Sequence, residues 1–113
     1  MSVKNSVAAI PLKSIDSATF TGAYQLINTG GTPNACFFLS IINNSNKDIT
    51  VSYDGTTDHD FVGTLKTRDL PVQTNSQPNN KTALFSVGTK VWVKGAAGAG
   101  LVYISGYFQS VAN

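Results

Sequence analysis

The densest group of reactive side chains is Asp54, Asp58, His59 and Asp60, within one short stretch of the chain. Several carboxylate oxygens suit a calcium ion, and an imidazole with one or two carboxylates suits a transition metal. The spacing matches no EF-hand loop, which needs alternating acidic positions and a late Glu. Asp is also a common turn residue, and in an extended segment Asp58 and Asp60 point to opposite faces. We therefore interpret this stretch as a turn and expect no bound metal.

Hydrolytic chemistry has no convincing set of residues either. A Ser-His-Asp triad is formally available around His59, but no serine lies in a nucleophile-elbow motif. The chain has no Glu, and every Asp lies at a predicted turn or strand end, which disfavours a glycosidase pair. The glycines at 30–31 and 95–100 match neither a P-loop nor a dinucleotide-binding pattern. We expect a non-enzymatic protein without catalytic residues or cofactors.

Trp92 is the most prominent aromatic residue, since it lies between Lys90 and Lys94 on the predicted outer face of a strand. An exposed Trp beside Lys can anchor a protein interface or stack on a sugar or a base. Packing beneath a loop is a third interpretation, and the sequence leaves all three open. Tyr103 and Tyr107 extend this aromatic patch if the last two strands pair as a hairpin.

Alternating apolar and polar residues predict the short β-strands that position these side chains. The stretch 35–55 holds two strands joined by an Asn/Ser-rich turn and followed by Asp54-Gly55. Its first run is apolar on both faces, with Phe38 and Ile42 on one of them. That pattern fits a central strand, or a strand whose outer face meets another subunit.

The rest of the chain repeats this pattern. The segment 19–29 is predicted as a half-buried strand with Phe20, Tyr24 and Leu26 on one face, and Pro71 indicates an edge strand. About seven or eight short strands result, which is typical of an antiparallel sandwich or barrel. We expect one all-β domain over residues 18–113, preceded by a strand or docking arm at 1–17.

Composition narrows the class of protein. The 113 residues suit one domain, and a charged share of only 12%, about half the usual one, favours a surface that is partly covered in the working state. The net charge of +2 is too small and scattered for nucleic-acid binding, and no run is long enough to span a membrane. The single cysteine, Cys36, excludes an intramolecular disulfide and is expected to be a buried thiol.

Two segments resemble a known class of protein. NNSNKDITVSYDGTTDHDFV and GTKVWVKGAAGAGLVYISGYF are similar to a recurrent small virion protein of tailed bacteriophages, over roughly residues 41–108. The resemblance implies a jelly-roll-like sandwich and a capsid decoration, or cement, protein on the outside of the icosahedral shell. The residues alone leave jelly-roll and immunoglobulin-like strand orders both open.

The leading functional expectation is a structural protein that clamps major capsid subunits and increases capsid stability. The alternative is a tail, baseplate or fibre-associated module that binds host surface glycan. We expect the major capsid protein as partner, a homo-oligomer with a dimer favoured, and no nucleic acid or membrane. We expect the chain to be synthesised in the host cytoplasm and to be located on the outer capsid surface of the virion. The predicted contact residues are Val3, Val7, Ile10, Trp92, Tyr103 and Tyr107.

Overall fold

The chain forms two antiparallel β-sheets, and the computed structural model describes residues 4–71, 75–76, 81–82 and 85–112. The strands are β1 (Lys4–Ala9), β2 (Lys13–Asp16), β3 (Gln25–Leu26), β4 (Phe38–Ser45), β5 (Ile49–Ser52), β6 (Asp60–Val62), β7 (Thr67–Pro71), β8 (Asn75–Ser76), β9 (Lys81–Thr82), β10 (Trp92–Gly95) and β11 (Gly100–Ala112). One 3-10 helix spans Ser17–Thr19. Within the described ranges no helix is long and apolar enough to cross a membrane.

The strand order is that of a jelly roll. In the first sheet β1 and β2 share one edge position beside β11, followed by β4 and β7; the second sheet has the order β3-β10-β5-β6. With β1 and β2 counted as one and the separate β8–β9 pair set aside, eight positions pair first with eighth, second with seventh, third with sixth and fourth with fifth. An antiparallel ribbon wrapped into two sheets has this pairing. The predicted all-β, jelly-roll-like sandwich is confirmed.

The core lies between the two sheets because inward residues alternate with outward ones along each strand. On β4, Leu39 and Ile41 are fully buried, and Ile41 shares one core cluster with Val102 of the neighbouring strand β11 and with Val93 of β10 in the other sheet. Burying an aliphatic side chain of this size stabilises the fold by about 1.5–3 kcal/mol. The sandwich is thus held mainly by four central strands, β4, β5, β10 and β11.

One end of the core is organised by a buried polar residue, Asn43. Its Nδ2 donates to the carbonyl oxygens of Lys47, at 2.8 Å, and Gly63, at 3.1 Å. Its Oδ1 accepts from the backbone N–H and the hydroxyl of Ser45. The amide therefore ties the end of β4 to the β4–β5 turn and to the end of β6, and no buried side-chain nitrogen or oxygen atom of the described residues lacks a hydrogen-bond partner.

The segment 19–29 differs from the predicted strand. Only Gln25 and Leu26 pair in a ladder, while residues 17–19 form the 3-10 helix. Asp16 caps that helix, since its side chain accepts from the N–H of Ala18 at 2.9 Å. Gly22 then has a φ of +87°, which turns the chain away from strand geometry. In this segment, hydrogen bonding by a capping side chain favours a short helix over the strand pairing that the alternation predicted.

Candidate functional site

The outer face of the first sheet carries several aromatic and aliphatic side chains. Tyr103 and Tyr107 both point outward from β11, and Tyr107 is 41% exposed. The register places Tyr107 between Ala9 of β1 and Phe38 of β4, and the rings of Phe38 and Tyr107 lie 5.9 Å apart. Tyr103 lies beside Ile42 of β4 in the same way.

This face extends to both edges of the sheet. Val7, two residues before Ala9 on β1, is 66% exposed, and Pro71 of β7 pairs with Phe38 at the opposite edge. Residues that are direct neighbours across strands share a face, so these side chains lie on one face, with the polar row Ser105, Ser40 and Asp69 between Tyr107 and Tyr103. We call this set the outer apolar surface: Val7, Ala9, Phe38, Ile42, Pro71, Tyr103 and Tyr107.

The outer apolar surface exists because β4 carries apolar residues on both of its faces. The inner residues of β4 fill the core, so Phe38 and Ile42 must point outward on an internal strand. Near the middle of this face Ser40 of β4 lies beside Asp69 of β7. The hydroxyl of Ser40 donates a hydrogen bond to the carboxylate of Asp69 at 2.8 Å. Sequence reasoning did not name Phe38, Ile42 or Pro71 as contact residues, although the apolar alternation and the predicted edge strand were the available signals.

The other predicted contact residues lie elsewhere. Ile10 is only 7% exposed and packs in the core with Cys36 and Leu39, whereas Val3 falls outside the described residues. Ile10 contributes to the fold and is not available at the surface. Cys36 is itself fully buried, and burial raises the pKa of its thiol, as expected for a structural cysteine.

Trp92 is separated from the two tyrosines by the whole thickness of the sandwich. It lies on the outer face of the second sheet, because β10 pairs with β3 and β5 and not with β11. The hairpin required for a shared aromatic patch is therefore absent, and that part of the prediction is wrong. A Cβ added to Gly55 would lie 3.1 Å from the indole ring, so the β5–β6 loop packs on Trp92.

The β5–β6 loop owes its shape to Asp54. One carboxylate oxygen accepts from the backbone N–H groups of Thr57, at 2.7 Å, and Thr56, at 2.8 Å, and from the hydroxyl of Ser52. These hydrogen bonds hold the pKa of Asp54 well below its ordinary value. Gly55 completes the turn with a φ of +85°, and the loop closes over Trp92.

The neighbouring acidic residues point to separate partners. Asp58 accepts from the hydroxyl of Tyr24 and pairs with Lys94 at 3.0 Å, and the Lys94 ammonium lies 4.5 Å from the centroid of the Tyr24 ring. Burial and the hydrogen bond to Asp58 raise the pKa of Tyr24 to about 12. The hydrogen bond from Tyr24 and the contact with Lys94 lower the pKa of Asp58.

On the other side of the loop, Asp60 accepts from the hydroxyl of Tyr53 at 2.5 Å and pairs with Arg68 at 3.5 Å. His59 accepts from the backbone N–H of Tyr53 through Nδ1, and its ring stacks on the same tyrosine. The three carboxylates of the loop thus have different hydrogen-bond partners, and Nε2 of His59 lies 4.0 Å from a carboxylate oxygen of Asp54. Among the described residues no cluster of three His, Cys or acidic side chains could hold a metal ion.

Two concave regions lie on the surface of the described fold. A crevice of about 220 Å³ opens at one end of the sandwich between the β1–β2 connection and the loop after β3, with Ile10, Asn28 and Ile104 among its lining residues. Both ends of the Asn28 amide are occupied by hydrogen bonds to Thr89 and Val91, so the amide positions the loop. An open groove of about 370 Å³ lies near Phe61 and is lined by Thr50, Asp58, His59, Asp60 and Phe61.

Comparison of the chain with models of known protein families, with curated proteins and with solved structures gave no significant match.

Proposed function

We propose that this chain is a non-enzymatic structural protein of a phage virion that decorates the outside of the icosahedral shell and clamps major capsid subunits. The outer apolar surface is the observation that carries the proposal. A sheet face with two tyrosines, Phe38, Ile42 and Pro71 has the aromatic and aliphatic composition of a protein interface core. The sequence resemblance supplies the virion setting.

The opposite face of the molecule supports the same assignment. On the second sheet Lys94 pairs with Asp58, and Asp60 of β6 pairs across the edge of the sandwich with Arg68 of β7. This face is therefore suited to solvent, whereas the first sheet is suited to burial against a partner. In the proposed orientation the outer apolar surface lies on the shell and the β5–β6 loop points away from it.

The tyrosines on β11 are the expected centre of the interface. Aromatic residues near the middle of a contact region carry most of the binding free energy, and single truncations there commonly cost 2 kcal/mol or more, roughly 30-fold in affinity. β11 pairs with strands on both sides, which holds Tyr103 and Tyr107 in place before binding. Many copies on one particle then act together, so a modest interface in each copy stabilises the whole shell.

Binding to shells that lack the protein tests the proposal. We expect Tyr107→Ala to reduce co-sedimentation with such shells by at least tenfold in affinity, because it removes the exposed aromatic ring at the centre of the surface. Phe61→Ala is the matched control, since Phe61 is 64% exposed on the opposite sheet and should bind as the unchanged protein does. Equal losses for both variants, or none for Tyr107→Ala, would contradict the proposed surface.

Deletion of residues 1–17 is a poorer test than point substitution. The described part of this segment forms β1 and β2, which pair with β11, and Ile10 belongs to the core. Its removal would expose one side of β11 and open the core, so lost binding could reflect a damaged fold.

The second candidate function is a tail, baseplate or fibre-associated module that binds host glycan. The observation in its favour is Phe61, which lies exposed in a groove with Asp58, His59 and Asp60; aromatic rings can stack on sugar faces, and carboxylates accept from sugar hydroxyls. Titration of host surface polysaccharide against Trp92 fluorescence, with Phe61→Ala as comparison, tests it. Immunogold labelling of the virion distinguishes the two functions, since label on the shell supports decoration and label on the tail supports adsorption.

A further inference from the structure

Exposed strand edges are the places where a β-sandwich can add strands from another chain, and among the described edge strands of the two large sheets β3, β6 and β7 are protected. β7 carries Arg68, Asp69 and Pro71, while β6 has three residues and β3 only two. Charges, proline and short length are the devices that prevent edge-to-edge pairing. These three edges are therefore unsuited to pairing with another strand.

β1 lacks these devices. It is six residues long, its only charged residue is Lys4 at the start, and it contains no proline. The backbone N–H of Ile10 donates to the carbonyl oxygen of Gly106 at 3.0 Å, so the alternation along the strand directs the backbone groups of Ala8 toward β11. The backbone groups of Val7 and Ala9 then point away from the sheet. Within the described ranges of the chain, no strand pairs with that side of β1.

We propose that two copies of this chain associate through antiparallel pairing of β1 with β1, about a two-fold axis at Val7. Asn5, Val7 and Ala9 of one copy then lie opposite Ala9, Val7 and Asn5 of the other. Three hydrogen-bonded pairs of this kind make about six backbone hydrogen bonds. The two first sheets become one continuous sheet.

A second copy is the partner that this edge fits. A two-fold axis places β1 of one copy beside β1 of the other, so both copies use the same strand, as in every isologous interface. Val7, which is 66% exposed in the single chain, contacts its counterpart, and the outer apolar surfaces of both copies become continuous across the axis. The pairing is a property of the chain alone and holds whether or not the protein binds a capsid.

Analytical ultracentrifugation of the purified chain over a range of concentrations tests the pairing. We expect the unchanged protein to shift from 11.9 kDa to twice that mass as its concentration rises. Val7→Lys should remain a monomer throughout, because it places two ammonium groups opposite each other at the axis. Val87→Lys is the matched control, since Val87 is also 66% exposed and lies outside the strands, and it should dimerise as the unchanged protein does.

A cysteine at the axis tests the register. Val7→Cys should form a disulfide-linked dimer under mild oxidation, because directly paired residues of this type have Cα atoms about 5.5 Å apart, within disulfide range. Cys36 is fully buried and does not compete, and Val87→Cys should remain unlinked. A protein that stays monomeric at every concentration, or a Val7→Lys variant that dimerises normally, overturns the proposal. Neither result bears on binding to shells, which is measured separately.

Discussion

At the residue scale, Asp54 determines the path of the β5–β6 loop. Its carboxylate receives two backbone N–H groups and a hydroxyl, and the resulting turn brings Gly55 onto the ring of Trp92. The position requires Gly55, because its φ is +85° and an added Cβ would press on the indole. The group that first suggested metal chemistry is thus a structural turn whose three carboxylates have different hydrogen-bond partners.

Acid should weaken this turn. The pKa values of Asp54 and Asp58 are lower in the folded chain than their ordinary value of 3.8, so both groups favour folding above about pH 4. That contribution is lost as the pH falls through the folded-state pKa values. We expect the urea midpoint, followed by fluorescence of Trp92, to be higher for the unchanged protein than for Asp54→Asn at pH 7. The difference should shrink as the pH is lowered below 4; a constant difference would contradict the assigned role.

At the element scale, the jelly roll depends on long central strands and on polar residues that fix their ends. β11 pairs with β1, β2 and β4 and thereby connects most of the first sheet. Asn43 joins β4 to β6, which belongs to the other sheet, through hydrogen bonds to backbone carbonyl groups. A buried amide of this kind specifies where the two sheets meet at that end of the sandwich.

Removing this amide should destabilise the whole domain. Asn43→Ala leaves several partly buried backbone groups without a partner, and we expect the free energy of unfolding to fall by about 2–4 kcal/mol. Asn44→Ala is the matched control, because Asn44 is the next residue of the same strand and points to solvent. Its change should stay within about 0.5 kcal/mol. Chemical denaturation of the three proteins provides the comparison, and similar values for both variants would contradict the role of Asn43.

At the scale of the whole molecule, the fold is elongated and has two chemically different faces. Its extents are 53 × 27 × 23 Å, and its radius of gyration of 15.5 Å exceeds the value of about 13 Å for a compact chain of this length. The pairing of β1 with β11 continues to Ala112, whereas β4 leaves β11 at Tyr107, so a two-stranded ribbon extends beyond the sheet. An elongated body with one apolar face is suited to bridging two neighbouring subunits.

The proposed clamp should be visible in the stability of the particle. We expect shells without the protein to release packaged DNA at a lower temperature than complete particles, because each bound copy adds an interface that internal pressure must break. Adding back the unchanged protein should restore the release temperature, and adding Tyr107→Ala should not. The measurement is the fluorescence of a DNA-binding dye during heating, which reports the temperature at which DNA is released. Identical curves for all samples would count against a cement role.

The sequence by itself determined the class of fold and the direction of most strand side chains. Alternation of residue types is a local property, so it correctly predicted that Trp92, Tyr103 and Tyr107 face outward. Pro71 correctly indicated that its strand, β7, lies at an edge. It failed at residues 19–24, where capping by Asp16 replaced the ladder.

Only the tertiary structure decided which strands are neighbours. Strand order depends on contacts between segments far apart in the chain, and similar alternation is compatible with several orders. The placement of β10 and β11 in different sheets therefore separated Trp92 from the tyrosines, and the packing of β1 on β11 buried Ile10 while leaving Val7 exposed. The outer apolar surface and the unprotected edge of β1 both arise at this level, because each is composed of residues that only the pairing of distant strands brings together.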